Sequence, residues 1–261
     1  MKCKICQSNT NELFSAVLMH KYNVVYYQCS NCDFIQTEEP YWLEEAYDNP
    51  IGVADIGMVS RNIYLADLLA PKIKKYFSSK GKFLDYGGGY GLFVRMMRDK
   101  GLDFYRQDSY CENLFAKSFD LKDLEPGTQF ELLTAFEVFE HLPDPIEEVN
   151  KMFELSNDIL FSTDLQPDMA FRSIDDWWYF SPEAGQHVSL YSLNSLQHLA
   201  KKFNKNFYSD GISLHLMTDK KLNNKVLKRS FVQKIIKKLY SGNPESLLQK
   251  DYEKIKSSLI K

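Results

Sequence analysis

The chain has 261 residues, 44% hydrophobic and 26% charged, enough for one full domain with a sizeable core and an appendage. It contains no run of about 18 apolar residues, which excludes a membrane-spanning helix, and Met1-Lys2-Cys3-Lys4 opens no apolar export segment, so a cytoplasmic protein is expected. The net charge of −3 hides a basic stretch, residues 219–261, with 12 Lys/Arg against 4 Asp/Glu; the acidic remainder argues against a nucleic-acid-binding core.

Cys3-Lys4-Ile5-Cys6 and Cys29-Ser30-Asn31-Cys32 form two CxxC pairs separated by 22 residues. Between them, Phe14 to Leu18 and Tyr22 to Gln28 read as strands around His20-Lys21. Two residues between cysteines let both thiolates of a knuckle reach one ion. Two knuckles complete a tetrahedral zinc site of Cys3, Cys6, Cys29 and Cys32. Disulfides are the alternative, disfavoured by a reducing cytoplasm. Four sulfur ligands leave no open position, so this zinc is expected to be structural. The ribbon carries few basic residues, and Glu38, Glu39, Glu44 and Glu45 follow at once; it reads as a folding and docking element. Cys111 is left over and is expected to be buried.

Asn62 to Ala70 has the periodicity of an amphipathic helix, with Ile73, Tyr76 and Phe77 extending or restarting it beyond Pro71. Phe83-Leu84-Asp85-Tyr86 then reads as a strand, Gly87-Gly88-Gly89-Tyr90-Gly91 as a tight turn, and Leu92 to Met97 as a helix start. A strand, a glycine turn and a helix N-terminus let backbone approach a nucleotide-like ligand closely. The dinucleotide fingerprint would need glycine at position 92, where leucine stands, which disfavours an NAD-dependent oxidoreductase. Leu102 to Gln107 is the next strand. It ends at Asp108, about 20 residues past the glycines, where this architecture places a carboxylate for ribose hydroxyls.

Phe130 to Glu137 reads as a strand, Val138 to Pro145 as the loop after it, Ile146 to Leu155 as a helix and Asp158 to Thr163 as another strand. Alternating strands and helices with short joints imply a parallel sheet covered on both faces, with ligands at the carboxyl ends of its strands. Trp177-Trp178-Tyr179-Phe180 precedes a Ser-Pro turn and Gly185-Gln186-His187. One tryptophan is expected in the core and the other on a ligand wall. Val232, Ile235, Ile236 and Leu239 recur at helical spacing among lysines, ending at Gly242-Asn243-Pro244. This basic tail reads as a solvated helix packed by one face, with contact to an anionic membrane surface or a partner as the alternative.

Asp85-x-Gly87-x-Gly89-x-Gly91 resembles the first motif of class I S-adenosylmethionine (SAM)-dependent methyltransferases, and AFEVFEHLPDP resembles their post-strand motif. The cysteine ribbon, Pro40 to Tyr47, and WWYFSPEAGQHVSLYSLNSLQHLAKKF resemble bacterial members with an N-terminal zinc-binding region, found in sugar and surface-polysaccharide pathways. The resemblance implies a Rossmann-like α/β fold with a mostly parallel seven-stranded sheet. Residues 1–45 would form the zinc ribbon, 46–218 the methyltransferase domain with its helical lead-in, and 219–261 the tail. Asp85, Gly87, Gly89 and Gly91 would line the methionine side of SAM and Asp108 would hold its ribose. Phe119, Phe136 and Glu137 would lie toward adenine, although no clean third strand follows Asp108. Arg61 faces either the methionine carboxylate or a surface acid.

The similar segment of nucleotide-sugar C-methyltransferases places a histidine base at His187. His141 ranks second, with Tyr191 and Tyr179 orienting the acceptor or relaying a proton, and Glu137 and Glu140 orienting a histidine or binding hydroxyls. His198 and His215 read as structural. The expected activity is methyl transfer to a small polar acceptor, a nucleotide-activated sugar or a capsule or surface-glycan precursor, by O- or C-methylation or on a phosphate-type decoration. A non-enzymatic zinc-ribbon adaptor or nucleic-acid binder is the competing class.

Overall fold

A computed structural model describes residues 1–48, 55–228 and 247–259. The helix expected over residues 232–239 lies outside them. Two sheets organise the molecule. The larger has six strands, β4 (Lys82–Tyr86), β5 (Asp103–Gln107), β6 (Leu132–Phe136), β7 (Ile159–Ser162), β9 (Asn206–Ser209) and β10 (Leu214–Thr218), in the order β5-β4-β6-β7-β10-β9. The first four in this order run parallel, and β10 is antiparallel to both β7 and β9.

Adjacent residues of the central strands enter opposite cores, as the two-residue period of a strand requires. Phe83, Phe104, Leu132 and Leu160 pack with Leu69 and Ile73 of α2 (Met58–Tyr76) and Val94 and Met97 of α3 (Leu92–Asp99). Leu84, Leu133 and Phe161 pack on the other face with Val149 and Met152 of α4 (Pro145–Leu155) and Leu196 and Leu199 of α5 (Leu193–Lys202). Helix α2 runs through Pro71 without ending. Helix α4 starts where Asp144 accepts from the Ile146 and Glu147 amides, with Pro145 preset for the first turn.

The expected seventh strand is absent among the described residues. The segment after β5 is a loop with a short 3-10 turn at Leu121–Asp123, and only an isolated parallel bridge joins Arg106 to Asp120. Glu112-Asn113 and Lys117-Ser118 interrupt any run of apolar or β-branched residues there, so nothing could cover a further strand. Arg106 holds this loop instead: its Nε donates to Asp120 at 2.7 Å and its guanidinium also reaches the Cys111 and Gly89 carbonyls. Cys111, expected buried, is only partly so.

The second sheet has the order β1-β2-β3-β8, with β1 (Thr10–Leu18), β2 (Tyr22–Cys29) and β3 (Ile35–Thr37) from the front of the chain and β8 (Ser189–Leu190) from far along it. Met19 and His20, at φ of 52° and 56°, make the tight turn between β1 and β2. Ile35 and Gln36 pair with Leu190 and Ser189. A short helix α1 (Leu43–Ala46) follows the front strands, and α6 (Leu248–Leu259) is the last described element. No helix among the described residues is long and apolar enough to cross a membrane.

Phe161 is fully buried and its ring stacks on Phe139 at 3.8 Å. Phe161→Ala is expected to cost about 3–5 kcal/mol in urea unfolding. Ile212→Ala, at a side chain 68% exposed, should stay within about 0.5 kcal/mol of the parent.

Candidate active site

The carboxyl ends of β4, β5 and β6 open into a cleft of about 1400 Å³. Its floor is the glycine turn. Gly87, Gly89 and Gly91 have φ of 66°, 53° and 84°, a region that side chains disfavour. A Cβ on Gly87 would stand 2.6 Å from Val138 Cγ2. Gly91 is the cap residue before α3 and lies off the cleft wall, whereas residues 85–90 line it. Asp108 pins the turn from the end of β5, accepting from the Gly89 amide at 2.8 Å with one oxygen and from the Tyr110 and Cys111 amides at 2.8 and 2.7 Å with the other.

Asp85 is buried beneath the turn, where its carboxylate accepts from Thr134 Oγ1 at 2.6 Å. Burial pushes its pKa up to about 7, with the Asp108 charge adding to the rise. It therefore lies in the wall as a desolvated carboxyl bonded to β6 rather than as a bare charge. Phe136, packed edge-on to Phe93 at 5.0 Å, lies at the cleft. Glu137 follows in a left-handed conformation, φ 55°, unusual for a side-chain-bearing residue. Ser162 holds it there, accepting from the Glu137 amide at 2.9 Å and donating to its carboxylate at 2.6 Å. Arg61 forms a two-pronged pair with Asp55 at 2.8 and 3.1 Å and stands 4.0 Å from Glu137 at the cleft wall.

Besides Gly91, two sequence candidates lie away from the cleft. Phe119 packs under the Arg98 guanidinium, 3.6 Å from its ring centre, and against Tyr105, because the loop after Asp108 folds back onto β5 instead of forming a strand. Tyr191 is fully buried and donates its hydroxyl to the Phe139 carbonyl at 3.0 Å. One position past β8, it points into the core, a direction that strand alternation sets.

His141 and His187 do meet. Their rings stand edge to face at 4.9 Å on the cleft wall. His187 Nδ1 lies 2.6 Å from the Tyr179 carbonyl and His141 Nδ1 lies 3.2 Å from the Gln186 carbonyl. A carbonyl only accepts, so each Nδ1 carries the proton and each Nε2 presents a lone pair. Burial lowers the pKa of His187 to about 4; burial and then the His187 charge lower that of His141 to about 3. Beside them Glu140 is 0% exposed, and neither of its carboxylate oxygens makes a hydrogen bond of full geometry. Burial, then the charge of Glu137, raises its pKa to about 8. The nearby Thr163 and Tyr179 hydroxyls are 3.3 Å from each other. His215, by contrast, is a core residue of β10 bonded to Ser209 Oγ and the Thr163 carbonyl.

The aromatic wall divides as its exposure dictates. Trp177 packs in the core with Phe171 and Phe180, while Trp178 is 71% exposed at the cleft. Sequence reasoning did not single out Tyr110. Its ring stacks on Tyr47 at 4.4 Å and 13°, and both line the cleft. The only signal was its place just after Asp108. Gln186 was likewise passed over, although its side-chain amide donates to the Ala46 carbonyl at 2.7 Å and so ties the His187 loop to α1.

The four N-terminal cysteines converge. Their sulfurs lie within 4.8 Å of one another, with Cys3 and Cys32 at 3.6 Å and Cys6 and Cys29 at 3.4 Å. Four thiolates sharing a zinc ion at ~2.3 Å would sit ~3.8 Å apart, so donor set and spacing both suit that ion.

The sequence model of the family described as "Methyltransferase domain" matches residues 61–208. No curated protein matches the chain significantly. Among solved structures, CalO1, a methyltransferase of calicheamicin biosynthesis in its SAH-bound form, is similar at 16% identity and a TM-score of 0.46, over 67% of this chain and 60% of that one. The plantazolicin methyltransferase BpumL, in complex with a monoazolic desmethylPZN analogue and SAH, is similar at 13% identity and a TM-score of 0.46, over 68% and 89% of the two chains. An O-methyltransferase family 2 protein from Planctomyces limnophilus, in complex with apigenin, is similar at 12% identity and 0.43, over 67% and 66%. The family match spans more than half of the sequence and includes the glycine turn, Asp108 and both cleft histidines. The chain belongs to the family described as "Methyltransferase domain".

Proposed function

We propose that the cleft methylates a small polar acceptor, a nucleotide-activated sugar or a surface-glycan precursor, with His187 as the base. The observation that carries this reading is that one cleft joins the glycine turn to a histidine with a free Nε2. The turn of residues 85–90 and Asp108 would hold SAM, since a side chain at Gly87 would meet Val138 and the backbone there is open to the cleft. When bound, SAM supplies an electrophilic methyl carbon on a sulfonium centre. Phe136 and the backbone at Glu137 would border its adenine end.

His187 is suited to its role because the Tyr179 carbonyl fixes its tautomer and burial keeps it unprotonated at neutral pH. It would accept the acceptor's hydroxyl or carbon-bound proton at Nε2. His141 stands beside it to orient the acceptor or share the proton. Trp178, with its exposed face, and the stacked Tyr47 and Tyr110 offer flat apolar surfaces for a sugar or base ring.

Residues 1–45 would act as a zinc ribbon that supports the acceptor side. Its β3 pairs with β8, the Trp42 indole donates to the Gly185 carbonyl at 2.7 Å, and the Thr37 amide donates to the Val188 carbonyl at 3.2 Å. Zinc held by Cys3, Cys6, Cys29 and Cys32 would brace the loop that presents His187. Residues 46–218 would be the transferase core and 219–261 a basic tail for contact with a partner or anionic surface.

Screening purified protein against nucleotide sugars and phosphorylated glycan precursors with labelled SAM tests the acceptor class; no transfer to any member would reject it. His187→Ala should keep SAH affinity within about threefold while transfer falls at least about 100-fold, the usual range for a lost general base. Unchanged turnover would remove His187 from the mechanism. The pH profile carries a second signature. Because burial holds His187 near 4, its neutral form persists down to about pH 5, so this base should add no acid limb to kcat/KM above that pH. Any limb there belongs to Asp85 or Glu140, raised to about 7 and 8. An ordinary histidine base would itself lose about 30-fold between pH 8 and 5. The same depression means that the histidine's contribution to stability is present above its unfolded value and is lost as pH falls through about 4.

Gly87→Ala should weaken SAH binding at least about tenfold in calorimetry, since both the positive φ and Val138 oppose a methyl group. Gly101→Ala, also at positive φ but with open space around it, should cost only about 1 kcal/mol of stability and leave SAH binding intact. Metal analysis should find zinc in the wild type, and Cys29→Ser should remove one equivalent per chain. In that variant acceptor KM should rise about tenfold or more, with SAH affinity changed less, because ligand loss loosens what the ribbon supports.

A further inference from the structure

We propose that Glu140, His141 and His187 together bind a divalent first-row transition-metal ion, distinct from the ion of the cysteine ribbon. One carboxylate oxygen of Glu140 and one ring nitrogen of each histidine lie within 4.8 Å of one another. Three donors sharing such an ion at ~2.1 Å stand ~3.0–3.4 Å apart in octahedral or tetrahedral arrangement, so side-chain rotations that move the donor atoms by about an ångström would close the set.

Three features of the cluster point to a cation. Glu140 is wholly buried, neither of its oxygens makes a hydrogen bond of full geometry, and the neighbouring Tyr179 and Thr163 hydroxyls offset only part of the cost of burying its charge. Each histidine places Nδ1 against a backbone carbonyl, at 3.2 Å for His141 and 2.6 Å for His187. That arrangement orients metal-binding imidazoles and leaves Nε2 as the donor atom. Finally, all three residues border the cleft, so further coordination positions would be open to a ligand. Two imidazoles and one carboxylate suit manganese, iron, cobalt, nickel or zinc, and poorly suit calcium or magnesium.

The ligand class follows from the open positions: a hydroxyl or enol oxygen of the acceptor. Bound to the ion, that oxygen ionises more readily and its proton passes to water in the cleft, leaving the lone pair on oxygen. This use rests on the methyl-transfer reading above: in the ion-free cleft His187 is the free base described there, and with the ion bound its Nε2 is a ligand and the proton leaves to water instead. The ion site itself does not depend on that reading.

Manganese(II) is the probe, because four thiolates are a poor site for it and the zinc-loaded ribbon does not compete. Titration of the full chain brought to one zinc equivalent, so that the ribbon is filled and the cleft is not, followed by electron paramagnetic resonance, should show one saturable manganese(II) site. Pulsed spectra of the bound ion should carry nitrogen couplings from imidazole. Glu140→Gln and His187→Ala should each weaken binding at least tenfold while the melting temperature shows that the variant folds. If a variant does not fold, the nitrogen couplings of the wild type decide alone. Absence of saturable binding, or bound manganese without nitrogen couplings, overturns the proposal and leaves Glu140 balanced by a proton. Saturable SAH binding without manganese leaves the methyltransferase reading standing. Manganese binding without methyl transfer to any acceptor leaves the ion site standing and removes its use.

Discussion

The joint between β3 and β8 is the constraint on which the site depends. Strand β8 is two residues long and is held on both sides. Ile35 and Gln36 pair with it from the front sheet. From the core, the Val188 amide donates to the Glu140 carbonyl at 2.9 Å and Ser189 Oγ donates to the Leu142 carbonyl at 2.6 Å. A segment so short has little pairing of its own, so its position is set by what grips it. Because His187 lies two residues before β8 and Glu140-His141 lies on the opposing turn, this grip brings the two histidine-bearing segments face to face.

The turn that carries Glu140 and His141 is itself anchored by apolar packing. Phe139 stacks on Phe161 of β7 and touches Tyr191 edge-on, deep in the core under the parallel strands. The polar groups above are therefore held on a rigid base, as a site that must keep its geometry requires. The glycine turn is rigid for another reason: Asp108 and Arg106 bond its backbone from β5. One side of the cleft is thus held by charge-assisted hydrogen bonds, the other by strand pairing and aromatic stacking.

Burial accounts for the unusual electrostatics. Asp85 and Glu140 are both withdrawn from water, and desolvation is the larger cause of the rise in each. Their surroundings differ. Asp85 has the Thr134 hydroxyl as a well-formed partner, while Glu140 has only the less well-aligned Tyr179 and Thr163 hydroxyls and stands beside two lowered histidines. Paired acid and base groups pushed away from their ordinary values are what a site of proton transfer or metal binding needs.

Local pattern was enough to read the strand–glycine turn–helix, the two cysteine knuckles, the capped helix after Asp144 and the alternation of strands with helices, because each depends on residues close together in the chain. It also marked His187, His141 and Asp108 as candidates. Tertiary structure alone decided the number of strands, since whether the segment after Asp108 forms a strand depends on Arg106 and Asp120 gripping it as a loop. It alone decided that Tyr191 and Phe119 face the core, that Tyr110 meets Tyr47, and that the front ribbon buttresses the His187 loop. Those outcomes rest on contacts between residues far apart in sequence, where side-chain direction and packing, not local propensity, select the partner.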